Sequence, residues 1–314
     1  MEINVNSDRC RGCFIGGAIG DALGSAVEFM APGTFPPITC YRSGGPHSLT
    51  AGQWTDDTSL ALALADSIGK KGWDINDQIQ RYVEWWQTGK YSVNGQCFDI
   101  GCITRSALER YTGLDGFEKC AVRFCADSNP SSSGNGSIMR LSPVPIKYAD
   151  LYPNDIQRLG TLGAESSTTT HASNQCVSAC LYTTVVLAAL IQGESRETVL
   201  DPEWDVLNQI AEDLDPLILK VAKGSFRNNK NIKGSGWVVE SLEAALWAFH
   251  DAKDFEEAVL KAVNLGDDAD TTGAVCGQFA GAYWGESGIP ESLRSGLDRQ
   301  DMIEEALNSL GVLK

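Results

Sequence analysis

The chain has 314 residues, 43% of them hydrophobic and 21% charged, which suits a soluble globular protein with a large core. Its formal net charge of −16, from 41 acidic against 25 basic residues, argues against a nucleic-acid backbone or an anionic membrane as the main partner, because both require a positive face. Ten cysteines follow a start, Met1 to Asp8, that is polar and lacks an apolar leader; reduced thiols and a cytoplasmic location are therefore expected.

From Arg9 the run RCRGCFIGGAIGDALGSAVEFM carries Gly12, Gly16, Gly20 and Gly24 at every fourth position. Glycine costs a helix about 1 kcal/mol per position relative to Ala, so the stripe predicts close approach of another backbone. Asp21 within it is expected to be a supporting or capping carboxylate. Cys10 and Cys13 form a CxxC with no second pair for zinc and no βαβ context for redox chemistry, so no function is assigned to it. Cys13, Cys176 and Cys180 are expected as small core residues on helices. Glu28 falls where the helix gives way to a segment from Ala31 to Gly52, rich in Pro, Gly and Ser and expected to form a lid or rim. A carboxylate on such a loop is placed to act on water or substrate.

Gly52 to Thr58 reads GQWTDDT and runs directly into the apolar stretch LALALA after Ser59. A helix is predicted from Asp56 to about Ile68, with Thr55 as N-cap and with Gly69 and Gly72 as stops. Asp77 to Thr88 has Ile79, Tyr82, Val83 and Trp86 at helical spacing, with its aromatics expected in the core. Phe98, Asp99, Ile100 and Gly101 precede a predicted helix from Ile103 to Tyr111. Asp99 is either the cap of that helix or a carboxylate in a partly dry pocket, with a raised pKa suited to proton transfer.

Asn129 to Arg140, NPSSSGNGSIMR, puts Gly134, Asn135, Gly136 and Ser137 ahead of an expected short helix. Successive backbone N–H groups in such a turn make an anion cradle, although no GK[ST] follows and no nucleotide triphosphatase is implied. A further loop, Ser166 to Ser173, leads into a long helix from Asn174, and its His171 is either a packing residue or a contact to a phosphate or sugar hydroxyl. Cys176 to Ile191 falls short of the ~20 residues of a membrane span and is interrupted by hydroxyls, so a buried helix is expected. Val206 to Val221, Trp237 to His250 and Phe255 to Leu265 continue with apolar residues at helical spacing. Alternating β-branched runs are almost absent, and the fold class predicted is all-α, with about a dozen helices.

Gly266 to Thr272, GDDADTT, repeats the arrangement of the first acidic run: glycine, clustered carboxylates, hydroxyls, then small residues. If the two runs meet, several carboxylates share one small volume, and like charges that close oppose folding. Divalent cations remove that penalty. The donors are all oxygen, so Mg²⁺, Mn²⁺ or Ca²⁺ is expected rather than Zn²⁺, in a two-metal site.

Taken in order, WTDDT, FDIG, GNGSIMR, THAS and GDDADTTGAVCGQFAGA resemble the ADP-ribosylglycohydrolase family. The likeness is greatest to the branch that holds dinitrogenase reductase-activating glycohydrolase and the ADP-ribosyl-arginine hydrolases. The resemblance spans nearly the whole chain, and the pair TDDT and DxDT at opposite ends is its specific part. It implies one compact orthogonal helical bundle over 1–314, a central pair of Mg²⁺ or Mn²⁺ ions, and removal of ADP-ribose from modified protein arginine. It further implies Thr55, Asp56, Asp57, Asp268, Asp270 and Thr271 as metal ligands, with Asp267 at a position the family leaves variable. Asp99 matches a carboxylate near the scissile bond in the arginine-specific branch, and Glu28 a loop glutamate in the serine-specific one, which leaves two candidates for the proton. Gly134, Asn135, Gly136, Ser137 and His171 match the loops that hold the diphosphate and distal ribose. The expected partner is an ADP-ribosylated protein, with ADP-ribose as product and a monomeric enzyme. Alternatives are hydrolysis of ADP-ribosyl-serine or O-acetyl-ADP-ribose, or a non-catalytic immunity or crystallin-like protein of the same fold.

Overall fold

The glycine stripe decides the central contact. In the computed structural model, which describes residues 5–114 and 119–313, the first helix, α1 (Val5–Gly24), lies antiparallel against a late one, Ala269–Trp284. Gly12 faces Gly281, Gly16 faces Gly277 and Gly20 faces Gly273, and a Cβ added at Gly20 would stand 2.0 Å from the Gly273 carbonyl oxygen. No side chain fits there, so the two backbones touch along their length. The consequence is positional: the C-terminal end of α1, carrying Asp21, and the loop with Glu28 are brought beside the second acidic run.

Between those helices the chain forms α2 (Asp56–Lys71), α3 (Ile75–Thr88), α4 (Cys102–Thr112), α5 (Pro143–Tyr148), α6 (Ile156–Thr168), α7 (Asn174–Ile191), α8 (Arg196–Val199), α9 (Asp205–Ile210), α10 (Pro216–Ala222), α11 (Val238–Phe249) and α12 (Phe255–Val263). The partner of α1 is α13, and α14 (Glu291–Gly296) and α15 (Gln300–Leu310) complete the chain. The fold is all-α. Among the described residues β-structure is limited to isolated bridges, such as Gly44 with Leu49. The helix total exceeds the dozen expected because several pieces, such as α8, are a turn or two long and carry no readable periodicity.

Local chemistry explains the ends. The Asp74 carboxylate accepts from the N–H groups of Asn76 and Asp77 to start α3, and the Ser173 hydroxyl accepts from Cys176 N–H to start α7. α7 is 18 residues long and apolar enough to span a membrane, yet 83% of it is buried inside the fold. Its apolar surface is covered by other helices. Cys13, Cys176 and Cys180 are fully buried, as core residues should be.

Four expectations about elements are corrected. The helix expected over Val206 to Val221 is split into α9, a 3₁₀ turn at Ala211–Asp213, and α10, because Pro216 has no N–H to donate and pushes Asp215 out of helical backbone. Ser166 to Thr168 belong to α6 rather than to a loop. Gly69 does not stop α2; it lies inside the helix, where a Cβ would meet the Ser309 backbone, and the stop is Gly72 at φ +73°. Gly134 to Ser137 open onto turns, with Met139 N–H donating to the Asn135 carbonyl, and no helix begins until Pro143.

Candidate active site

Two helix starts converge beside the glycine contact. α2 begins with Asp56 and Asp57, and α13 begins just after Asp268, so the positive ends of two helix dipoles face one carboxylate cluster. Asp21 ties them together from the end of α1. Its Oδ1 accepts from Thr55 N–H (2.8 Å) and its Oδ2 from Thr58 N–H (3.0 Å) and Thr58 Oγ1 (2.6 Å). This carboxylate therefore caps α2, while Thr55, at the N-cap position, makes no side-chain cap.

The Thr55 hydroxyl points into the cluster instead. It lies within hydrogen-bonding distance of Asp21 Oδ1 (3.0 Å), Asp57 Oδ2 (3.2 Å) and Asp270 Oδ2 (3.3 Å). One hydroxyl proton serves one of them at a time. Thr271 Oγ1 is 3.4 Å from the same Asp57 oxygen, and the other Asp57 oxygen, Oδ1, is buried with no hydrogen-bond partner. An orphaned buried carboxylate oxygen is costly unless a cation meets it.

Oxygens of Asp21, Asp57 and Asp270 gather within 4.8 Å of one another, and so do those of Glu28, Asp268 and Asp270. Asp270 belongs to both groups. Burial, reinforced by neighbouring carboxylates, raises Asp56, Asp57 and Asp270 well above the ordinary range, and burial opposed by the Thr58 and Thr55 hydrogen bonds leaves Asp21 at about 6. Asp268 is raised by burial and partly relieved by the Asn135 side-chain amide, which donates to its Oδ2 at 2.7 Å. A hard divalent cation with oxygen donors fits this set, since it would meet the orphaned oxygen and restore the charged forms.

Above the cluster opens a cavity of about 290 Å³. Its lining includes the acidic group Glu28, Asp56, Asp99, Asp268 and Asp270 with Thr271, and the neutral group Gly134, Asn135, Gly136 and His171, joined where Asn135 donates to Asp268. Thr55 and Asp57 lie behind this lining. Burial raises Glu28 to about 9 and Asp99 to about 7, with Asp99 repelling Glu28 and Asp21 repelling Asp99. Asp99 is not the cap of α4. Gly101 occupies that position, and Asp99 sits at φ +60°, a strained conformation that turns its side chain into the cavity.

His171 is buried, and its burial with nearby Arg140 lowers its pKa to about 3, so the ring is neutral. Arg140 donates to Thr170 Oγ1 (2.7 Å), which leaves the Thr170 proton for His171 Nδ1 (2.8 Å). Nε2 then carries the ring proton. It lies beside Gly136, where a Cβ would come within 2.8 Å of the ring. This group therefore offers neutral donors suited to oxygen atoms of a phosphate or sugar.

Ser137 lies apart from the others. Its hydroxyl accepts from Ser167 Oγ (2.9 Å) and faces Cys180 rather than the cavity. Conversely, His47 was invisible in the sequence: its Nε2 stands 3.2 Å from Glu28 Oε2 and 3.1 Å from Asp99 Oδ1. A lone histidine in the segment between Ala31 and Gly52 gives no spacing signal. Its role depends on how that segment folds back.

The ADP-ribosylglycohydrolase family model matches residues 2–313. The chain belongs to the ADP-ribosylglycohydrolase family. "ADP-ribosylarginine hydrolase Tri1" of Pseudomonas putida (strain GB-1) is 37% identical over 284 residues, covering 90% of this chain and 72% of the relative. "ADP-ribosyl-[dinitrogen reductase] glycohydrolase" of Rhodospirillum rubrum is 29% identical and covers 93% of this chain and 90% of that one. A solved structure titled "ADP-ribosylglycohydrolase-related protein complex" superposes with a TM-score of 0.82 at 37% identity, covering 99% of each chain. This member of the family is a glycohydrolase with the acidic clusters described above.

Proposed function

We propose that this glycohydrolase removes ADP-ribose from modified arginine side chains of protein, breaking the bond between ribose C1 and a guanidino nitrogen. The observation that carries this reading is the meeting of Glu28, Asp99, Asp268 and Asp270 in one cavity with the Gly134–Gly136 turn and His171. The relatives named as ADP-ribosylarginine hydrolases favour arginine as the linkage.

Cleavage passes through an oxocarbenium-like state, which requires an oriented ribose, a water on the open face and a proton for the departing nitrogen. Asn135, Gly134, Gly136 and His171 hold phosphate and sugar oxygens through neutral donors, and Asn135 also fixes Asp268. Thr55, Asp56, Asp57, Asp268, Asp270 and Thr271 would hold two Mg²⁺ or Mn²⁺ ions, with Asp21 and Glu28 adjoining. Bound there, such ions supply Lewis acidity toward the ribose diol and water. Asp99, turned into the cavity beside the acidic cluster, takes the proton of the attacking water. Glu28, which lines the same cavity, returns a proton to the leaving nitrogen. Water adds across the bond, giving free ADP-ribose and unmodified arginine.

The test is a panel of ADP-ribosyl-arginine protein, ADP-ribosyl-serine peptide and O-acetyl-ADP-ribose, scored by release of ADP-ribose. Turnover of the arginine substrate well above the other two is expected. Preference for serine or the acetyl ester would replace the linkage, and inactivity on all three would leave a binding protein.

A further inference from the structure

The proposed chemistry of the cavity does not account for His47. It comes from a tight turn in the segment after α1, where Gly44 and Leu49 exchange both backbone hydrogen bonds (2.8 and 2.9 Å). That turn is pressed onto the end of α1: at Gly45, in left-handed backbone at φ +69°, a Cβ would stand 2.3 Å from the Ser25 carbonyl oxygen. The ring packs against Phe98, with centroids 5.3 Å apart. His47 is thus delivered by backbone contacts on one side and by the neighbour of Asp99 on the other.

Its Nε2 hydrogen-bonds Glu28 Oε2 at 3.2 Å and lies 3.1 Å from Asp99 Oδ1, two carboxyls from different parts of the chain. Both carboxyls depend on left-handed backbone, at Asp99 itself (φ +60°) and at Phe29 (φ +61°), directly after Glu28. Such conformations persist only where surrounding contacts hold them. The two carboxyls also hydrogen-bond each other, and an N–H donor at their junction holds their oxygens in place and favours the charged form of Asp99.

We infer that His47 is a positioning residue whose Nε2–H bridges Glu28 and Asp99 and keeps the proton-transferring pair aimed into the cavity. The inference rests on the proposed glycohydrolase chemistry for its kinetic effect, but the bridge itself is a structural statement. His47 makes no contact with the Gly134–Gly136 and His171 group. Its loss therefore acts on turnover rather than on binding of the ADP-ribosyl group.

Two variants separate the N–H from the packing. His47→Phe keeps the ring against Phe98 and removes the donor, and His47→Gln restores an amide N–H near the place of Nε2. On ADP-ribosyl-arginine protein, His47→Phe should lower kcat by roughly 10- to 100-fold, a share of the usual general acid–base contribution, with KM within about twofold, and His47→Gln should recover most of it. Equal loss in both variants, no loss in either, or a loss confined to KM would overturn the assignment. A second readout needs no turnover. In ¹⁵N-histidine-labelled protein the His47 Nε2–H signal should resist exchange with water in the wild type and vanish in the double variant Glu28→Ala/Asp99→Ala. A signal indifferent to that double change removes the bridge. If the wild type released no ADP-ribose from any modified arginine, the functional reading would fail while the imidazole signal still decided the bridge.

Discussion

Asp57 and Asp268 reach the same cluster by different routes, one on the first turn of α2 and the other just ahead of α13. Asp57 Oδ1 is buried with no hydrogen-bond partner, whereas Asp268 Oδ2 accepts from Asn135. Calorimetric titration of chelated protein with Mg²⁺ or Mn²⁺ should show binding that Asp57→Ala and Asp268→Ala each weaken by about tenfold or more; identical binding in both variants would end the metal assignment. On the arginine substrate, Asp99→Ala should cost about 100-fold or more in kcat, and retention of activity there with loss in Glu28→Ala would move the water's proton to Glu28. The carboxylate runs were legible in sequence because their density at helix starts is hard to explain by capping alone. Asp21 was legible as a supporting group, and it does cap α2. His47 was not, because its contacts are fixed by the Gly44–Leu49 turn docking on Ser25, a tertiary event. Ser137 was grouped with the anion-cradle turn from its place in the GNGS run, but it is not among the residues that line the cavity and its hydroxyl accepts from Ser167.

Among elements, the pairing of α1 with α13 sets the site. A methyl at Gly20 would stand 2.0 Å from the Gly273 carbonyl oxygen, whereas at Gly17 its nearest neighbour would be Gln278 Cγ, a side-chain atom, at 3.2 Å. Gly20→Ala should therefore destabilise by about 2 kcal/mol or more through forced separation of the helices, outweighing the ~1 kcal/mol that Ala gains in helix propensity. Gly17→Ala should cost clearly less in the same urea unfolding experiment, since no backbone atom lies closer than 3.7 Å. Equal effects at the two positions would show that the contact is not what requires the stripe. The four-residue spacing announced a close contact but not its partner, since small residues recur elsewhere, as in Gly160 and Gly163 on α6. Helix existence was readable wherever apolar residues recur over several turns, as in α2, α3, α7 and α11. It failed at Pro216, where a continuous apolar pattern concealed a backbone break.

At the scale of the whole molecule, the buried carboxylates make stability depend on pH and on cations together. In the cation-free form Asp21, Asp99 and Glu28 hold their protons to about 6, 7 and 9, while in the unfolded chain they lose them near 4. Across that window the folded state binds more protons than the unfolded state, so stability falls as pH rises. Chelated protein should melt at a lower temperature at pH 8 than at pH 5, at fixed ionic strength, and added Mg²⁺ should raise the melting temperature more at pH 8. A melting temperature indifferent to the cation at both values would contradict this coupling. The same cluster that burdens the folded state without a cation is the one proposed to act on the ribose. The most direct measurement is ADP-ribose release from arginine-modified protein after exhaustive chelation, and again after Mg²⁺ or Mn²⁺ is returned. Release that stops on chelation and resumes with the cation is the predicted result; release that proceeds unchanged under chelator would contradict a cation-centred glycohydrolase.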